Sequence, residues 1–325
     1  MRYCGIMDCL KTWHEAKHLF KQNTRHSRES GNPAKKYPAQ RTVCCSCPAM
    51  RGLFNQLDSR FRGNDGANRK LVMKIATWNV NSLKVRLPHV LNWLKDNPID
   101  VLCLQETKQQ DADFPHAELL AAGYHSAFVG QKTYNGVAIL SREPLADVQF
   151  GIPNYEDEQK RVIAATINGI RVICVYVPNG QEVDSDKYYY KLGWLIALRN
   201  YLKEALLQYP KLVVLGDYNI APEDRDVHDP VVWQGNILVS EAERIHFRYL
   251  TELGLHDSFR LFEQAEKSFT WWDYRMMAFR RNHGVRIDHI LISTPLLAEC
   301  KSCVIDKVPR KWERPSDHTP VVVEL

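Results

Sequence analysis

The chain has 325 residues, of which 45% are hydrophobic and 25% are charged, a balance that excludes collagen-like, coiled-coil and wholly disordered proteins. No run of 18 apolar residues occurs, which excludes a membrane-spanning helix. The formal net charge is +5, but residues 1–72 carry 14 Lys and Arg against 5 Asp and Glu, whereas residues 73–325 carry 29 against 33.

Residues 1–72 differ in pattern from the rest of the chain. They include RHSRESGNP at 25–33 and LDSRFRGNDG at 57–66, without a sustained apolar period of 2 or 3.6. The segment is too poor in apolar residues to fold alone, and it resembles translated intergenic repeat DNA of bacteria. We therefore predict a disordered or spurious extension, with the functional chain starting at Met73; an organellar transit peptide is the alternative.

The cysteines are divided in the same way. Five of the nine lie in residues 1–72, and the remainder of the chain keeps Cys103, Cys174, Cys300 and Cys303. Cys103 and Cys174 lie in apolar runs and are expected to pack as small hydrophobic side chains. The Cys300-Lys-Ser-Cys303 spacing lacks the second pair or histidine cluster of a zinc site, so we expect reduced thiols and a cytoplasmic location.

Residues 73–325 alternate between strand-like apolar runs and helical patterns, which predicts an α/β fold. The strand-like runs are 74–81, 100–108, 136–141, 161–167, 170–180, 211–222, 286–293 and 317–325. Asn168-Gly169 predicts a hairpin, so at least part of the sheet structure must be antiparallel. Helices are predicted from Leu83 to the Asn97-Pro98 stop, over 187–208, and from a capping box at Ser240 to Gly254.

Polar residues lie at or beside the ends of these strand-like runs, where α/β folds collect groups that contact ligands. They are Asn79, Glu106, Asp217, Asn219, Asp288, Asp317 and His318. Each has an ordinary structural explanation when taken alone, such as a turn or a helix start. Carboxylates, amides and a histidine that all lie at strand ends are harder to explain in that way, and together they indicate an active site.

This set of side chains suits phosphoryl transfer. Mg²⁺ binds one or two carboxylates plus waters, so Glu106 would hold a metal ion. Asp217 would position or deprotonate a water molecule, and His318 would face the charge on the phosphoryl oxygens. Zinc hydrolysis fits poorly because the set contains one histidine, and the chain has no G-x-S-x-G, G-x-G-x-x-G or Walker motif.

Seven motifs occur in a fixed order between residues 77 and 323: TWNVNSL, LQETK, VYVPNG, GDYNIAP, WWDYR, RIDHIL and SDHTPVVV. In this order and spacing, residues 73–325 resemble the exodeoxyribonuclease III group of the endonuclease/exonuclease/phosphatase superfamily. The resemblance implies a four-layered α/β sandwich of two mixed β-sheets flanked by helices, with the active site where the sheets meet at one edge. It also implies hydrolysis at DNA 3′ ends and abasic sites that depends on Mg²⁺ or Mn²⁺.

The resemblance assigns roles to single residues. Glu106 would bind the metal, and Asn79 beside it would hold Asp217, which orients or deprotonates the attacking water. Asp288 would fix the tautomer of His318, which stabilises charge on phosphorus. The remaining implied positions are phosphate contacts at Asn219 and Tyr176, a second metal position near Asp317, a sugar pocket of Trp271, Val285 and Ile287, and DNA-backbone contacts at Lys84, Arg86, Asn179 and Gly180.

The implied partner is double-stranded DNA with 3′ ends, nicks or abasic sites, bound by a monomer without contact to a membrane. Because residues 73–325 are mildly acidic overall, DNA binding needs a local basic patch. The candidate patch consists of Arg275, Arg280, Arg281 and Arg286; a solvated charged face is the alternative interpretation.

One stretch departs from the family pattern. Many relatives carry a Gly-aromatic pair shortly before [ST]-x-x-E-R, whereas here Gly235-Asn236-Ile237-Leu238-Val239 precedes Ser240. His228 and Trp233 are bulky in a region that borders the DNA groove of relatives, and a bulkier groove favours frayed 3′ ends over a flipped abasic nucleotide. The alternatives are a nuclease and phosphatase restricted to 3′ ends, a phospholipid or inositol-phosphate phosphodiesterase of the same superfamily, and an inactive binding module.

Overall fold

The computed structural model of the protein describes residues 72–325. The predictions made for the N-terminal extension and its cysteines lie outside the described residues and stay predictions. Within the described part, no helix combines the length and the apolar character that crossing a bilayer requires.

Two six-stranded β-sheets form the centre of the described part. The first contains β1 (Lys74–Asn79), β2 (Val101–Gln105), β3 (His125–Val129), β4 (Val137–Ser141), β11 (Ser302–Ile305) and β12 (Val321–Glu324), in the order β11-β12-β1-β2-β4-β3. The second contains β5 (Ala146–Phe150), β6 (Val162–Ile167), β7 (Ile170–Tyr176), β8 (Leu212–Asp217), β9 (Leu255–Asp257) and β10 (Asp288–Ser293), in the order β5-β6-β7-β8-β10-β9. Each sheet has a parallel pair at its centre, β1 with β2 and β7 with β8, and antiparallel strands outside it.

Helices cover the outer faces of both sheets. The first sheet is covered by α1 (Leu83–Asp96) and α2 (His116–Ala121), and the second by α3 (Asp186–Gln208) and α5 (Glu241–Thr251). The single turns α4 (Pro230–Trp233) and α6 (Ala278–Arg281) lie in long loops. Short 3₁₀ helices occur at Asp111–Asp113, Asp224–Asp226, Ser258–Leu261, Thr294–Leu296 and Pro309–Lys311.

Three apolar layers hold these elements together. Ile75 and Cys103 of the first sheet pack against Val172 and Leu215 of the second sheet. On the outer faces, buried side chains of α1 and of α3 cover the first and the second sheet respectively. The resulting helix–sheet–sheet–helix arrangement is the predicted four-layered α/β sandwich, and the fold-class prediction is confirmed.

Most predicted elements are present, and the differences have a physical reason. The Asn168-Gly169 hairpin joins β6 to β7, and α5 begins with the predicted reciprocal capping box between Ser240 and Glu243. The patterns did not predict β3, β5, β9 and β11. All five residues of β5 are exposed at a sheet edge. β9 and β11 have only three and four residues, so neither of these two strands produces an alternating pattern long enough to recognise.

Strand register brings the carboxyl ends of the central strands of each sheet to one edge. Asn79 at the end of β1 pairs with Gln105 at the end of β2, and Tyr176 at the end of β7 pairs with Asp217 at the end of β8. Gly216, just before Asp217, has φ +152°, and a Cβ atom there would lie 1.8 Å from the carbonyl oxygen of Val175. Only glycine allows this close approach, which sets where the Asp217 carboxylate leaves the sheet.

Candidate active site

Asn79 joins the two sheets at the edge where their central strands end. Its Nδ2 donates to Glu106 Oε1 and to Asp217 Oδ2, each at 2.9 Å, and Asn79 is completely buried. Its Oδ1 accepts a hydrogen bond from the backbone N–H of Asn81 at 3.0 Å. The amide therefore holds two carboxylates from different sheets beside each other, through its nitrogen and not through its oxygen.

Glu106 follows β2 in the left-handed region, with φ +53°. Its Oε1 also accepts from Tyr176 Oη at 2.9 Å, and its Oε2 lies 2.8 Å from Lys108 Nζ. Burial favours the neutral carboxyl, but the charge of Lys108 and the hydrogen bond from Asn79 outweigh it and lower the pKa of Glu106. Glu106 is therefore an anion at neutral pH, although most of its surface is removed from water.

His318 lies between two aspartates. Its Nδ1 is 2.8 Å from Asp288 Oδ2, and its Nε2 is 3.8 Å from Asp217 Oδ2. Asp288 is the first residue of β10 and pairs in register with Asp217 of the antiparallel strand β8. The loop that carries His318 is fixed to β1 of the first sheet. Ser316 Oγ donates to the carbonyl oxygen of Asn79 at 2.7 Å and accepts from the His318 N–H at 3.2 Å.

The pKa values of this group are coupled. Burial raises the pKa of Asp217 to about 7, and the nearby charges of Asp288 and Glu106 add to this effect, while His318 and the Asn79 hydrogen bond oppose it. Burial alone would lower the pKa of His318, but the charges of Asp288 and Asp217 raise it to about 10. At neutral pH the imidazole is therefore a cation with a proton on each ring nitrogen, and Asp217 lies near its titration point.

The donor atoms fit a hard divalent cation. Glu106, Asp217 and His318 each offer one atom, and these atoms lie within 4.8 Å of one another. Because His318 is protonated at neutral pH, it is a hydrogen-bond donor and not a ligand, and the carboxylates of Glu106 and Asp217 are the acidic groups that a cation would face. A dication held by Glu106 would also lower the raised pKa of the neighbouring Asp217.

Two side chains beside Glu106 were not recognised in the sequence. Lys108 Nζ contacts Glu106 Oε2 and donates to Asn81 Oδ1 at 2.6 Å, and Asn81 Nδ2 donates to Asp317 Oδ1 at 3.0 Å. A chain of contacts thus runs from the Glu106 carboxylate to Asp317. Both residues belong to the TWNVNSL and LQETK motifs, and their spacing of two residues from Asn79 and Glu106 is the signal that could have identified them.

Asp317 and Trp271 form a second polar contact. Asp317 Oδ2 accepts from Trp271 Nε1 at 3.0 Å, so both carboxylate oxygens have protein partners and Asp317 lies outside the Glu106–Asp217–His318 group. The half-buried Trp271 packs on the buried side chains of Val285 and Ile287, so the structure brings the three predicted pocket residues together.

The loops after β7 and β8 carry Asn179 and Asn219 to the same rim of the candidate active site. Asn219 has φ +49°, its N–H donates to Asp217 Oδ1 at 2.9 Å, and its Nδ2 donates to the carbonyl oxygen of Val177 at 3.0 Å. The exposed Asn179 donates from Nδ2 to Asn219 Oδ1 at 3.0 Å. A cavity of about 540 Å³ continues outward from this rim, and its lining includes Asn179, Arg161 and Tyr134.

The two basic side chains that were predicted to contact the DNA backbone have different surroundings. Lys84 is exposed, whereas Arg86 is half-buried and donates to the backbone oxygens of Asn81, Arg314 and Pro315.

The prediction of a four-arginine patch is wrong for Arg286. This side chain is 1% exposed and forms ion pairs with Asp226 and Asp257, because the segment that leads into β10 lies in the interior. Arg275 is exposed and pairs with Asp273, while Arg280 and Arg281 are exposed in α6.

The bulky residues that depart from the family pattern lie together. The rings of His228 and His283 are stacked at 4.6 Å, and Trp233 Nε1 lies 3.3 Å from His228 Nδ1. Trp233 also packs against the apolar cluster that contains Val285 and Ile287. Their bulk therefore lies beside the predicted sugar pocket.

Comparisons with known proteins identify the family and the fold. The sequence family described as Endonuclease/Exonuclease/phosphatase family matches residues 76–318. Exodeoxyribonuclease III of Haemophilus influenzae is 36% identical over 268 residues, which span 78% of this chain and 100% of that protein. Among solved structures, the 3′ phosphatase NExo from Neisseria bound to a product DNA hairpin is 50% identical with a TM-score of 0.77, covering 78% of this chain and 99% of that chain. An AP endonuclease from Archaeoglobus fulgidus is 43% identical with a TM-score of 0.75, covering 77% and 98%.

Proposed function

Since the chain belongs to the endonuclease/exonuclease/phosphatase family and to its exodeoxyribonuclease III group of nucleases, we propose that it is a metal-dependent DNA-repair phosphodiesterase that acts on 3′ ends of duplex DNA. Its reactions would be 3′-to-5′ exonuclease and 3′-phosphatase cleavage. The observation that carries the proposal is the Asn79 bridge, which holds Glu106 and Asp217 side by side with the protonated His318 across from them.

Glu106 is the proposed ligand for Mg²⁺ or Mn²⁺, with Asn79 holding it in place. When bound, the metal neutralises non-bridging phosphate oxygens and so makes phosphorus more electrophilic. Glu106 suits this role because its pKa is lowered and its carboxylate stays charged despite burial. Asp317 has protein partners on both oxygens, so a second metal position there would require Asn81 or Trp271 to move.

Asp217 is the proposed base that orients or deprotonates the attacking water. It suits this role because a carboxylate whose pKa lies near the working pH is effective in proton transfer. His318 donates from Nε2 to the phosphoryl oxygen that gains negative charge in the transition state. Asp288 accepts from Nδ1, which fixes the orientation of the ring and keeps it protonated.

Tyr176 and Asn219 are the proposed contacts to the other phosphate oxygens. One N–H of Asn219 Nδ2 donates to Val177, which leaves the second N–H for a phosphate oxygen. The single phenolic proton of Tyr176 donates to Glu106. To bind phosphate, this proton must turn away from the Glu106 carboxylate.

Duplex DNA is the proposed partner, bound by a monomer in the bacterial cytoplasm. Lys84, Arg86, Asn179 and Gly180 would contact the backbone, and Trp271, Val285 and Ile287 would enclose the terminal sugar. The relatives include a 3′ phosphatase solved with a DNA hairpin, which supports DNA over a phospholipid or inositol phosphate. The ionised Glu106 and the protonated His318 argue against an inactive binding module.

Cleavage at internal abasic sites is the second candidate activity, because one similar structure is an AP endonuclease. The stacked His228 and His283 rings and Trp233 add bulk beside the sugar pocket, which favours 3′ termini over an extruded internal nucleotide.

The test is a side-by-side assay on a recessed 3′ hydroxyl, a 3′ phosphate at a nick and an internal abasic site. We expect rapid cleavage of the first two, slower cleavage of the third, and complete loss of all three in EDTA. Activity that survives EDTA, or no cleavage at any 3′ end, would refute the proposal.

A further inference from the structure

The ammonium group of Lys191 lies completely buried under the active site. Lys191 is in α3, is 0% exposed, and its Nζ has three hydrogen-bond acceptors. It donates to the carbonyl oxygens of Asn179 at 3.1 Å and Asn219 at 2.6 Å, and to Glu243 Oε1. All three N–H groups of the ammonium are thereby used.

Glu243 extends these contacts to a third loop. Its Oε1 also accepts from the Leu238 N–H at 3.1 Å, and its Oε2 accepts from the Ser240 N–H at 3.0 Å and from Ser240 Oγ at 2.6 Å. One buried ion pair therefore contacts the loop after β7, the loop after β8 and the turn before α5, which we call the three rim loops (residues 177–181, 218–221 and 236–240).

The position of this pair is not explained by stability alone. A buried ion pair loses the hydration of both charges, and apolar side chains of similar volume often stabilise a core as well or better. Here two of the three ammonium donors serve backbone carbonyls of Asn179 and Asn219, the residues whose side-chain amides bond to each other at the rim. Asn219 takes this position with φ +49°, in the left-handed region that asparagine adopts more readily than other non-glycine residues.

The stem of Lys191 also fits the rim loops closely. Gly180 has φ +90°, and a Cβ atom there would lie 3.1 Å from Lys191 Cδ and 2.9 Å from Ile237 Cδ1. The loop after β7, the lysine stem and the turn before α5 thus fill one another's space. A shift of any one of them changes the position of the other two.

We infer that Lys191, with Glu243 as its counter-ion, is a positioning residue that fixes the Asn179–Asn219 amide pair against the scissile phosphate. This inference rests on the proposed function for the identity of the phosphate. Since Asn219 donates from its backbone to Asp217, the same lysine also sets the direction of that carboxylate. Loss of the ammonium moves catalytic groups without removing any group that touches substrate.

The test compares Lys191→Met with a matched control, Arg171→Met, in the full chain. Arg171 is also a buried cation, 1% exposed, that donates to the carbonyl oxygen of Asp147 at 2.7 Å, but it lies at the opposite end of β7 from the active site. Both variants are assayed for kcat and KM on a nicked duplex with a 3′ phosphate, at a temperature where circular dichroism shows them folded. Amide hydrogen exchange is measured on the same proteins without metal.

We expect Lys191→Met to lower kcat by about 10- to 100-fold with KM changed less than about threefold, and to accelerate exchange in the three rim loops. Arg171→Met should keep the wild-type kcat and accelerate exchange only around β5 and β6. Equal kcat in Lys191→Met and Arg171→Met, or unchanged exchange in the rim loops, would overturn the inference. If Lys191→Met does not fold, Glu243→Gln decides by the same two measurements. A wild-type protein that cleaves no DNA would refute the proposed function, and the exchange pattern alone would then decide the positioning role.

Discussion

Replacing Asp288 by asparagine separates the charge of His318 from its mere presence. Asp288 Oδ2 lies 2.8 Å from His318 Nδ1, and its charge is the largest effect that raises the pKa of the imidazole. Asp288→Asn retains the size of the side chain and a carbonyl oxygen that can accept from Nδ1. It removes the negative charge, so the pKa of His318 falls from about 10 towards its ordinary value of 6.5.

The magnitude follows from the fraction of His318 that is protonated. With a pKa of about 10, about 99% of the imidazole is protonated at pH 8. With a pKa near 6.5, about 3% is protonated at pH 8 and about three quarters at pH 6. Protonation alone therefore lowers kcat at pH 8 by about 30-fold, and misorientation of the ring adds to this loss.

The assay is the pH dependence of kcat from pH 6 to 8 on a nicked duplex with a 3′ phosphate at saturating Mg²⁺. Wild-type activity should fall towards the acid end of this interval, where Asp217 becomes protonated, since the bound metal lowers the pKa of this carboxyl group from its metal-free value of about 7. The ratio of variant to wild-type kcat should rise by about tenfold or more over the same interval, because His318 regains its proton. A ratio that stays constant from pH 6 to 8 would refute the role of a charged imidazole. Circular dichroism and DNA affinity similar to wild type exclude a folding defect.

Three further predictions follow from the same geometry. Asp217→Asn should lower kcat by about 10³-fold or more while the DNA dissociation constant changes less than about threefold, measured by single-turnover kinetics and fluorescence anisotropy; equal loss of binding would contradict a transition-state role. Lys108→Met should lower the melting temperature without metal, because Glu106 loses its counter-ion. It should also increase the stabilisation that Mg²⁺ produces, because the lysine no longer competes with the metal for the Glu106 carboxylate. An unchanged rise in melting temperature on adding Mg²⁺ would contradict this competition. Arg286→Met should destabilise the fold by about 3–5 kcal/mol in urea unfolding, because two buried carboxylates lose their partner, and a loss below about 1 kcal/mol would show that the ion pairs are not formed.

The strand-end residues were predictable because a polar residue at the end of an apolar run is visible in the local sequence. Asn79 and Glu106 end neighbouring parallel strands, and Tyr176 and Asp217 do the same in the other sheet, so each pair must meet at one edge. The resemblance to a known family supplied the remaining step, which places those two edges against each other. The roles of single residues in catalysis stay proposals that the experiments above test.

The contacts of buried cations were not predictable from local pattern. Arg286 lies in a short basic stretch that predicts a surface patch, yet its ion pairs with Asp226 and Asp257 lie in the interior. Lys191 lies in a helix that carries other polar residues, and only the tertiary structure shows its ammonium beneath Asn219. Such roles depend on residues from distant parts of the chain, which a periodicity of 2 or 3.6 does not report.

The central claim is that Glu106, which Asn79 holds beside Asp217, binds a divalent cation. The most direct measurement is anomalous diffraction from a crystal of the protein soaked in Mn²⁺, with Glu106→Gln as the control. We expect one strong peak within about 2.0–2.3 Å of a Glu106 carboxylate oxygen, beside Asp217, and no such peak in the variant. A wild-type crystal without a peak between these two carboxylates, or with the metal bound elsewhere, would contradict the account.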